Sequence, residues 1–516
     1  MEITRITSEQ QKSLLHRHLK ERADTQLLVH KDNPKAEINR AVVLKLCEND
    51  FTYFANNFVW IQNPRSEEAR NKDIPFLLWD YQEQSAKEII KAIIEGYDLP
   101  IEKSRDMGLS WLLVTILVWG WHFHQWESLV GSQKAENVDT RGNIKSLLEK
   151  ARFISEKLPD WMLPPLIRGV HDKSMILIHP THHASITGES NNPNFARSDR
   201  RKVILFDEFS SWQLTDRQAW TSASSTSRCR IPLSTPNSRG TNCYFYQIVN
   251  SAYKKELPVL RLHWTLHPDY SEGLYYNELG EPRSPWYDNE CKRATTPEEV
   301  SQELDINYEA AMTGKVFPNF SYDVNVDEEV AYNPNLPLYV AWDFGLDGTA
   351  LIWVQPDRIN NKYYVIDEYT NDGTTKEGAD IQHYIEVVQS KPYKTALHFG
   401  DPHSGENRAL SSRGLSNGSI LRKNGIKFKS KRTPRLNRIL AGRNILKNLR
   451  INPNCVMTIE MFSSWQMVRP KSGNKSSETP AHDDTHIGDS YTYFAYNYQE
   501  YVNKTSNFER KNYKRV

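Results

Sequence analysis

The chain has 516 residues, 65 Lys+Arg against 64 Asp+Glu for a formal net charge of +1, with 25% charged and 38% hydrophobic residues. This profile excludes collagen-like, disulfide-dense and wholly disordered classes, and at roughly 100–200 residues per domain the length predicts two to four domains. The near-zero net charge counts against a nucleic-acid partner on first sight, an inference that the placement of the charges reverses.

Five cysteines, Cys47, Cys229, Cys243, Cys291 and Cys455, are odd in number and form no CxxC pair. They read as reduced thiols of an intracellular protein. Met1 to Lys20 is polar, without the apolar core of a secretory signal. The most apolar run, Leu109 to Phe123, is shorter than the roughly 20 residues that span a bilayer, so it is expected to be a buried helix, with no membrane role.

In chain order, residues 1–70 carry short helical patterns and form an N-terminal helical extension. Between 71 and 255 apolar β-like runs (Asp98–Ile101, Glu127–Val130, Ser174–Ile178, Lys202–Phe206, Arg230–Ser234) alternate with helical segments, an α/β domain. Residues 256–335, rich in Pro, Tyr and acids, are expected as a connector. In a second α/β domain, 336–502, three β-like runs (338–342, 349–355, 362–367) precede a helix near 376–389, a strand at 394–399, further helices and a closing helix from about 487. That order is the order of an RNase H-like fold. The basic tail, 503–516, is expected to be unstructured.

Lys103-Ser104-Arg105-Asp106-Met107-Gly108-Leu109-Ser110 follows a short strand and opens the apolar helix. Laid on GxxxxGK[ST], Gly108 takes the second glycine and Ser110 the Mg²⁺-binding hydroxyl, while Leu109 stands where the lysine belongs. Such a loop needs amides at a helix N-terminus and a nearby cation, which Lys103 or Arg105 can supply from the front edge. Val203-Ile204-Leu205-Phe206 ends in Asp207 and Glu208, the Walker B arrangement, with Asp207 for Mg²⁺ and Glu208 to polarise the attacking water. Leu233-Ser234-Thr235-Pro236-Asn237 ends a further strand with polar groups placed to sense a γ-phosphate. Upstream, Trp79-Asp80-Tyr81-Gln82 offers an amide and a ring for adenine.

Taken together, Tyr81-Gln82, the Lys103–Ser110 loop, Val203–Glu208 and Ser234–Asn237 resemble the large terminase subunit of tailed bacteriophages, over roughly residues 70 to 500. The resemblance implies a P-loop (ASCE-type) ATPase domain followed by an RNase H/RuvC-like nuclease domain. It implies a viral DNA-packaging motor that uses ATP with Mg²⁺ (or Mn²⁺) to move double-stranded DNA into a procapsid and cuts the genome concatemer. The implied partners are DNA, a small terminase subunit, the portal and further copies in a ring on the procapsid, in the host cytoplasm, with a monomer possible in isolation. It also implies an arginine acting on a neighbouring subunit's nucleotide, for which Arg141 is the candidate and Arg197, Arg200 and Arg201 the competitors. Asp106, where many members have Gln, and Trp111 depart from the family pattern.

For the nuclease, Leu338-Tyr-Val-Ala-Trp-Asp343 and Thr395-Ala-Leu-His-Phe-Gly-Asp401 are apolar strands with an acid at the tip, and Asp483, Asp484 and Asp489 flank the start of the last helix. Two-metal cleavage needs several carboxylates converging on Mg²⁺ or Mn²⁺. Asp343, Asp401 and Asp489 form the preferred set. Asp489-Ser490 with Tyr493 resembles the family's Asp-Ala-x-x-Tyr helix, Asp484 is the alternative third ligand, and Glu368 is a lesser candidate. His179, His182 and His183 lack a partner that would complete a metal site and are expected to be structural or surface groups.

Between Ile420 and Arg450 stand eleven Lys/Arg residues and no Asp or Glu. Such a stripe binds a phosphate backbone through counterion release, and beside a carboxylate site that repels DNA it has a compensating purpose. Lys471–Lys475 reads as a loop near the same cleft. Two alternatives remain open. One is an ATP-driven translocase or helicase whose second domain binds DNA without cutting. The other is an RNase H-like recombinase or transposase with an inactive nucleotide fold.

Overall fold

The computed structural model describes residues 3–62, 73–197, 199–212, 215–237, 239–294, 297–309, 315–345, 349–371, 381–400, 416–468, 479–480 and 486–513. The chain divides into two compact units, Met1–Ala311 and Met312–Val516.

The first unit opens with helices Ser8–Val29, Ala36–Asn49 and Phe51–Phe58, followed by a hairpin of β1 (Trp60–Gln62) and β2 (Asp73–Pro75). Thr7 and Gln10 form a capping box at the first helix, and the Asp50 carboxylate accepts from the Thr52 and Tyr53 amides at the third. These helices are part of the unit's core: Val43, Cys47, Phe51, Phe54 and Phe58 belong to the same buried cluster as Ile89, Leu112, Trp121 and Leu233.

The central sheet consists of β3 (Ile101–Lys103), β4 (Ser128–Ser132), β5 (Asp172–Lys173), β6 (Ile176–Ile178), β7 (Ser185–Ser190), β8 (Val203–Asp207), β9 (Arg230–Ser234) and β10 (Leu260–Leu262), in the order β10-β3-β9-β8-β4-β7-β6-β5. From β10 to β7 all pairings are parallel, and only the β7-β6-β5 edge is antiparallel. One strand, β9, separates β3 from β8, which is the ASCE-type arrangement expected. Because the strands run the same way, the loops after β3, β8 and β9 leave from one edge of the sheet, where ligands bind in open α/β folds. The helix Leu109–His124 is buried on almost every side, which explains an apolar run without amphipathic stripe. At Gly120 a Cβ would lie 1.9 Å from the Trp126 ring. No described helix is long and apolar enough to cross a membrane.

Of the parallel strands of the central sheet, two escape the sequence reading. β7, Ser-Ile-Thr-Gly-Glu-Ser, has no apolar run and joins through its backbone register with β4. β10 corrects the expected 256–335 connector. Leu260 and Leu262 are buried against β3, and residues up to Ala311 belong to the first unit. Three residues are too few to show alternation among the surrounding Pro, Tyr and acids. A small hairpin, β11 (Tyr275–Tyr276) with β12 (Pro282–Arg283), lies in the same segment.

The second unit is built on β13 (Leu338–Phe344), β14 (Thr349–Asp357), β15 (Lys362–Asn371), β16 (Thr395–Gly400), β17 (Phe428–Ser430) and β18 (Leu449–Ile451). β13, β14 and β15 form an antiparallel meander, β16 and β17 add in parallel beside β13, and β18 pairs with the far edge of β15. This is the RNase H-like order. Successive β13 side chains alternate between two cores: Val340, Trp342 and Phe344 on one face, Tyr339 and Ala341 on the other. The closing helix, His486–Tyr513, covers the second face. Its Ser490 hydroxyl donates to the Ala350 carbonyl at 2.8 Å and its Tyr491 hydroxyl to that of Gly442 at 2.9 Å. The tail expected to be unstructured from 503 instead continues this helix to Tyr513. Glu509, Arg510 and Lys511 are good helix formers, and polarity alone does not end a helix.

One ionic cluster pins the helix Leu147–Lys157 to the sheet edge. Arg152, with its side chain 4% exposed, donates to Asp139 at 2.6 Å, Asp172 at 2.8 Å and Glu149 at 3.1 Å. Burial pushes the Asp139 carboxyl up, but hydrogen bonds from Arg152 and the Met175 amide, with the Arg152 and Arg141 charges, hold it below the ordinary value. Its stabilising contribution is therefore present above the unfolded-state value of about 4 and is lost as pH falls below it. Replacing Arg152 with Ala strands buried carboxylates and is expected to destabilise the first unit by about 3–5 kcal/mol. Urea denaturation at neutral pH measures this, and the deficit should shrink in acid.

Candidate functional site

The loop after β3 is held from behind. Gly108, at φ +71°, caps the helix Leu109–His124, a conformation natural to glycine, and a Cβ there would meet Gln82 Nε2 at 2.7 Å. Tyr81 Oη donates to the Met107 carbonyl at 2.8 Å, and Gln82 Nε2 approaches the same oxygen at 3.4 Å. Tyr81 is 2% and Gln82 4% exposed. The expected adenine-reading pair is therefore a brace for the loop and does not line the cavity. Ser104 is also turned inward, accepting from the Trp264 amide at 2.8 Å and donating to the Leu304 carbonyl. It contributes a structural tie, not the expected phosphate contact.

In front of the loop lies a cavity of about 740 Å³, floored by the Arg105–Ser110 segment and walled by Lys103, Glu208, Thr235 and Asn237. That volume suits a nucleotide-sized ligand. Lys103, the last residue of β3, is 7% exposed, and its Nζ lies 3.2 Å from Glu208 Oε1. Burial works against the ammonium, but the charges of Glu208 and Asp207 outweigh it and raise its pKa above the ordinary lysine value. Ser110 Oγ donates to Asp207 Oδ1 at 3.4 Å. Burial, then the Glu208 charge, pushes the Asp207 carboxyl up to about 6, against the opposing charges of Lys103 and Lys150. Glu208 adopts φ +49°, and the Ser234 hydroxyl donates to its Oε2 at 3.4 Å. Ser210 links the β9 tip to this group: its hydroxyl oxygen lies 2.6 Å from that of Ser234 and 2.8 Å from the Thr235 carbonyl, while Asn237 Nδ2 donates to the Ser210 carbonyl. An oxygen pair from Ser110 and Asp207 beside the loop amides is a donor set that fits a hard divalent cation.

The cavity also contains groups that motif reading missed. Lys150, from the helix Leu147–Lys157, is buried, lies over the Trp111 ring at 5.7 Å and donates to the Lys145 carbonyl at 2.6 Å. Burial lowers its pKa to about 8, opposed by Asp207. Lys145 and Glu303 line the cavity as well. A lone lysine some forty positions past the loop has no spacing signal; Trp111, where the helix begins, is what it packs on. Arg105 is mostly exposed, near Asp106 and Glu303 at 4.0 and 3.9 Å. Arg141, the candidate trans arginine, occupies a turn and pairs with Asp172 at 2.7 Å; it does not line this cavity.

In the second unit, Asp343 near the end of β13 lies 2.7 Å from His486 Nδ1, at the start of the closing helix. His486 stands three residues before Asp489 on that helix, and no sequence argument had singled it out. Asp489 itself is held by Arg435 at 2.7 Å and Arg438 at 3.3 Å. The helix Arg435–Leu446 thus brings two guanidiniums onto the carboxylate that the sequence offers as a metal ligand. Glu368 is likewise spent: its carboxylate accepts from the Met457 and Thr458 amides and the Thr458 hydroxyl, capping the helix Val456–Ser464. Asp401, Asp483, Asp484 and the Lys471–Lys475 loop lie outside the described residues. Among the described residues no three His, Cys, Asp or Glu side chains gather as a metal site. His179 and His182 stack at 3.6 Å, with His122 Nδ1 3.0 Å from His179 Nε2, a packed ring column.

The basic run is not one surface. Arg422, Lys423, Lys427, Lys429, Lys431, Arg432 and Lys447 are exposed, but Arg438 is buried on Asp489 and Arg443 donates to the Val316 carbonyl at 2.6 Å.

No family model matches the chain, and no curated protein matches it. Solved structures similar to it are phage large terminases. One from a thermophilic bacteriophage, in complex with ATP-gamma-S, is 15% identical at a TM-score of 0.33, over 80% of this chain and 97% of that one. That of bacteriophage HK97 is 11% identical at 0.37, over 87% and 99%. The nuclease domain of the bacteriophage SPP1 large terminase, with bound Mn, is 18% identical at 0.25, over 34% and 96%.

The Asp489 contacts have a measurable consequence. Asp489→Ala leaves the buried Arg438 without its carboxylate and is expected to destabilise the second unit by about 3 kcal/mol. Thermal unfolding of the full chain tests this; an unchanged or raised transition would show that Asp489 stands free of the arginines.

Proposed function

We propose that this chain is a large terminase subunit: a viral DNA-packaging ATPase whose first unit hydrolyses ATP to drive double-stranded DNA into a procapsid, and whose second unit cuts the concatemer. One observation carries the motor reading. Lys103 with Glu208, and Ser110 bonded to Asp207, bring together β3, the helix start after its loop and the end of β8, and Lys103, Ser110 and Glu208 line a single cavity.

In this reading the amides from Met107 to Ser110 receive the phosphates at the helix N-terminus. Ser110 and Asp207 would hold Mg²⁺, which would supply neutralising charge to the phosphates when bound. Lys103 replaces the lysine that Leu109 displaces. Its ammonium cannot serve the γ-phosphate and Glu208 equally, so arrival of the triphosphate draws it from Glu208 Oε1. The released carboxylate then accepts a proton from the attacking water. Ser234, already on Glu208 Oε2, passes the change to Thr235 and Asn237 through Ser210. Arg141 acts on a neighbouring subunit's nucleotide only after leaving Asp172.

For cutting, Asp343 with Asp401, and Asp484 or Asp489, are the carboxylates that would hold Mg²⁺ or Mn²⁺. The exposed lysines and arginines of 422–447 receive the DNA backbone, with a salt-dependent affinity. The partners in this reading are a small terminase subunit, the portal and further copies in a ring on the procapsid, in the host cytoplasm. The two arginines on Asp489 favour a second reading, a translocase whose RNase H-like unit binds DNA without cutting it.

Glu208→Gln is expected to lower ATP turnover by at least about 100-fold while sparing Mn²⁺-dependent nicking of supercoiled plasmid. Asp343→Ala should do the reverse. Loss of both activities in either variant defeats the division of labour, and a wild-type chain that never nicks favours the second reading.

A further inference from the structure

A second recess of about 350 Å³ opens on the front edge of the same loop, sharing Arg105 and Asp106 with the larger cavity. The helix Pro285–Arg293 supplies Trp286, Glu290 and Arg293, and Leu304 completes the lining. Trp286 lies flat against Tyr270, ring centroids 3.9 Å apart and planes within 6°, and Tyr270 in turn stacks on His267 at 3.8 Å. Tyr270 Oη donates to the Asp106 carbonyl at 3.1 Å. The aromatic column is therefore hydrogen-bonded to the loop itself.

The lining has a definite chemistry. Arg105 and Arg293 are offset by Asp106 and Glu290, with Arg293 paired to Glu290 at 2.7 Å. A recess without net charge does not select a phosphate, which the lysine-lined neighbour does. A planar, uncharged heterocycle suits it instead: indole surface for stacking, a guanidinium, carboxylate acceptors for an exocyclic amine and the Leu304 side chain as an apolar edge. The residues that sequence offers for a base, Tyr81 and Gln82, are buried behind the loop and spent on Met107.

We propose that this recess is the nucleobase subsite, in which the base of the bound nucleotide stacks on Trp286 and an exocyclic amine donates to Glu290. The assignment rests on the nucleotide reading of the larger cavity. The test is calorimetric titration of the full chain, in Mg²⁺, with ADP and with tripolyphosphate, which has no base. Trp286→Ala is expected to weaken ADP binding by about tenfold or more and leave tripolyphosphate binding unchanged, and Trp286→Phe should recover most of the ADP affinity. Glu290→Ala should weaken ADP by a smaller factor, again without effect on tripolyphosphate. Unchanged ADP binding in Trp286→Ala, or a parallel loss of both ligands in Trp286→Phe, overturns the subsite alone. A wild-type chain that binds neither ligand overturns the nucleotide reading and the subsite with it.

Discussion

A buried ammonium organises the first unit. Lys103 ends β3 inside the protein, where its charge persists only because Glu208 and Asp207 stand opposite. The opposition exists because β3, β9 and β8 are parallel neighbours whose ends share one edge. An isolated charge at that depth would cost several kcal/mol and neutralise instead. The loop is built around this choice. With the cation moved to its front, the position normally held by lysine carries Leu109, which packs into the core, and the loop is braced through the Met107 carbonyl.

The second unit meets the same constraint with arginines. A run of eleven basic residues could not all lie on one face of the segment that carries them. The helix Arg435–Leu446 turns Arg438 inward to Asp489, and the exposed remainder lies mostly in the flanking segments. The near-neutral composition thus conceals internal pairing and a local exposed excess of basic groups that acids elsewhere in the chain offset. A net charge cannot separate the two, because Coulomb interactions depend on distance.

Much of the fold was legible. β8 and β9, and β13 to β16, are strands of five or more residues that carry consecutive apolar side chains, and burial within the sheet leaves that imprint. β7 and β10 were not legible. A six-residue strand of Ser, Thr, Gly and Glu and a three-residue strand are held by neighbours' hydrogen bonds, not by their own hydrophobicity. Within the site, Lys103, Glu208, Ser110, Thr235 and Asn237 line one cavity, and Asp207 accepts from Ser110. Gln82, Ser104 and Arg141 do not line it. Each is polar near a motif, and which way such a side chain turns depends on groups far along the chain: Met107 for Gln82, Trp264 and Leu304 for Ser104, Asp172 for Arg141.

Taken alone, the order of residues determined which strands are apolar, where acids and hydroxyls stand at their tips, and that a glycine precedes the helix at Leu109. These are local properties, expressed within a few positions. Tertiary structure alone decided that Lys103 meets Glu208 across more than a hundred positions, that Lys150 enters the same cavity, and that Trp286 faces the front of the loop. It also decided that Asp489 is claimed by Arg435 and Arg438. Contacts of this kind arise when the sheet order brings distant segments together, and the charge, burial and reach that result belong to the packed arrangement, not to any stretch of the sequence.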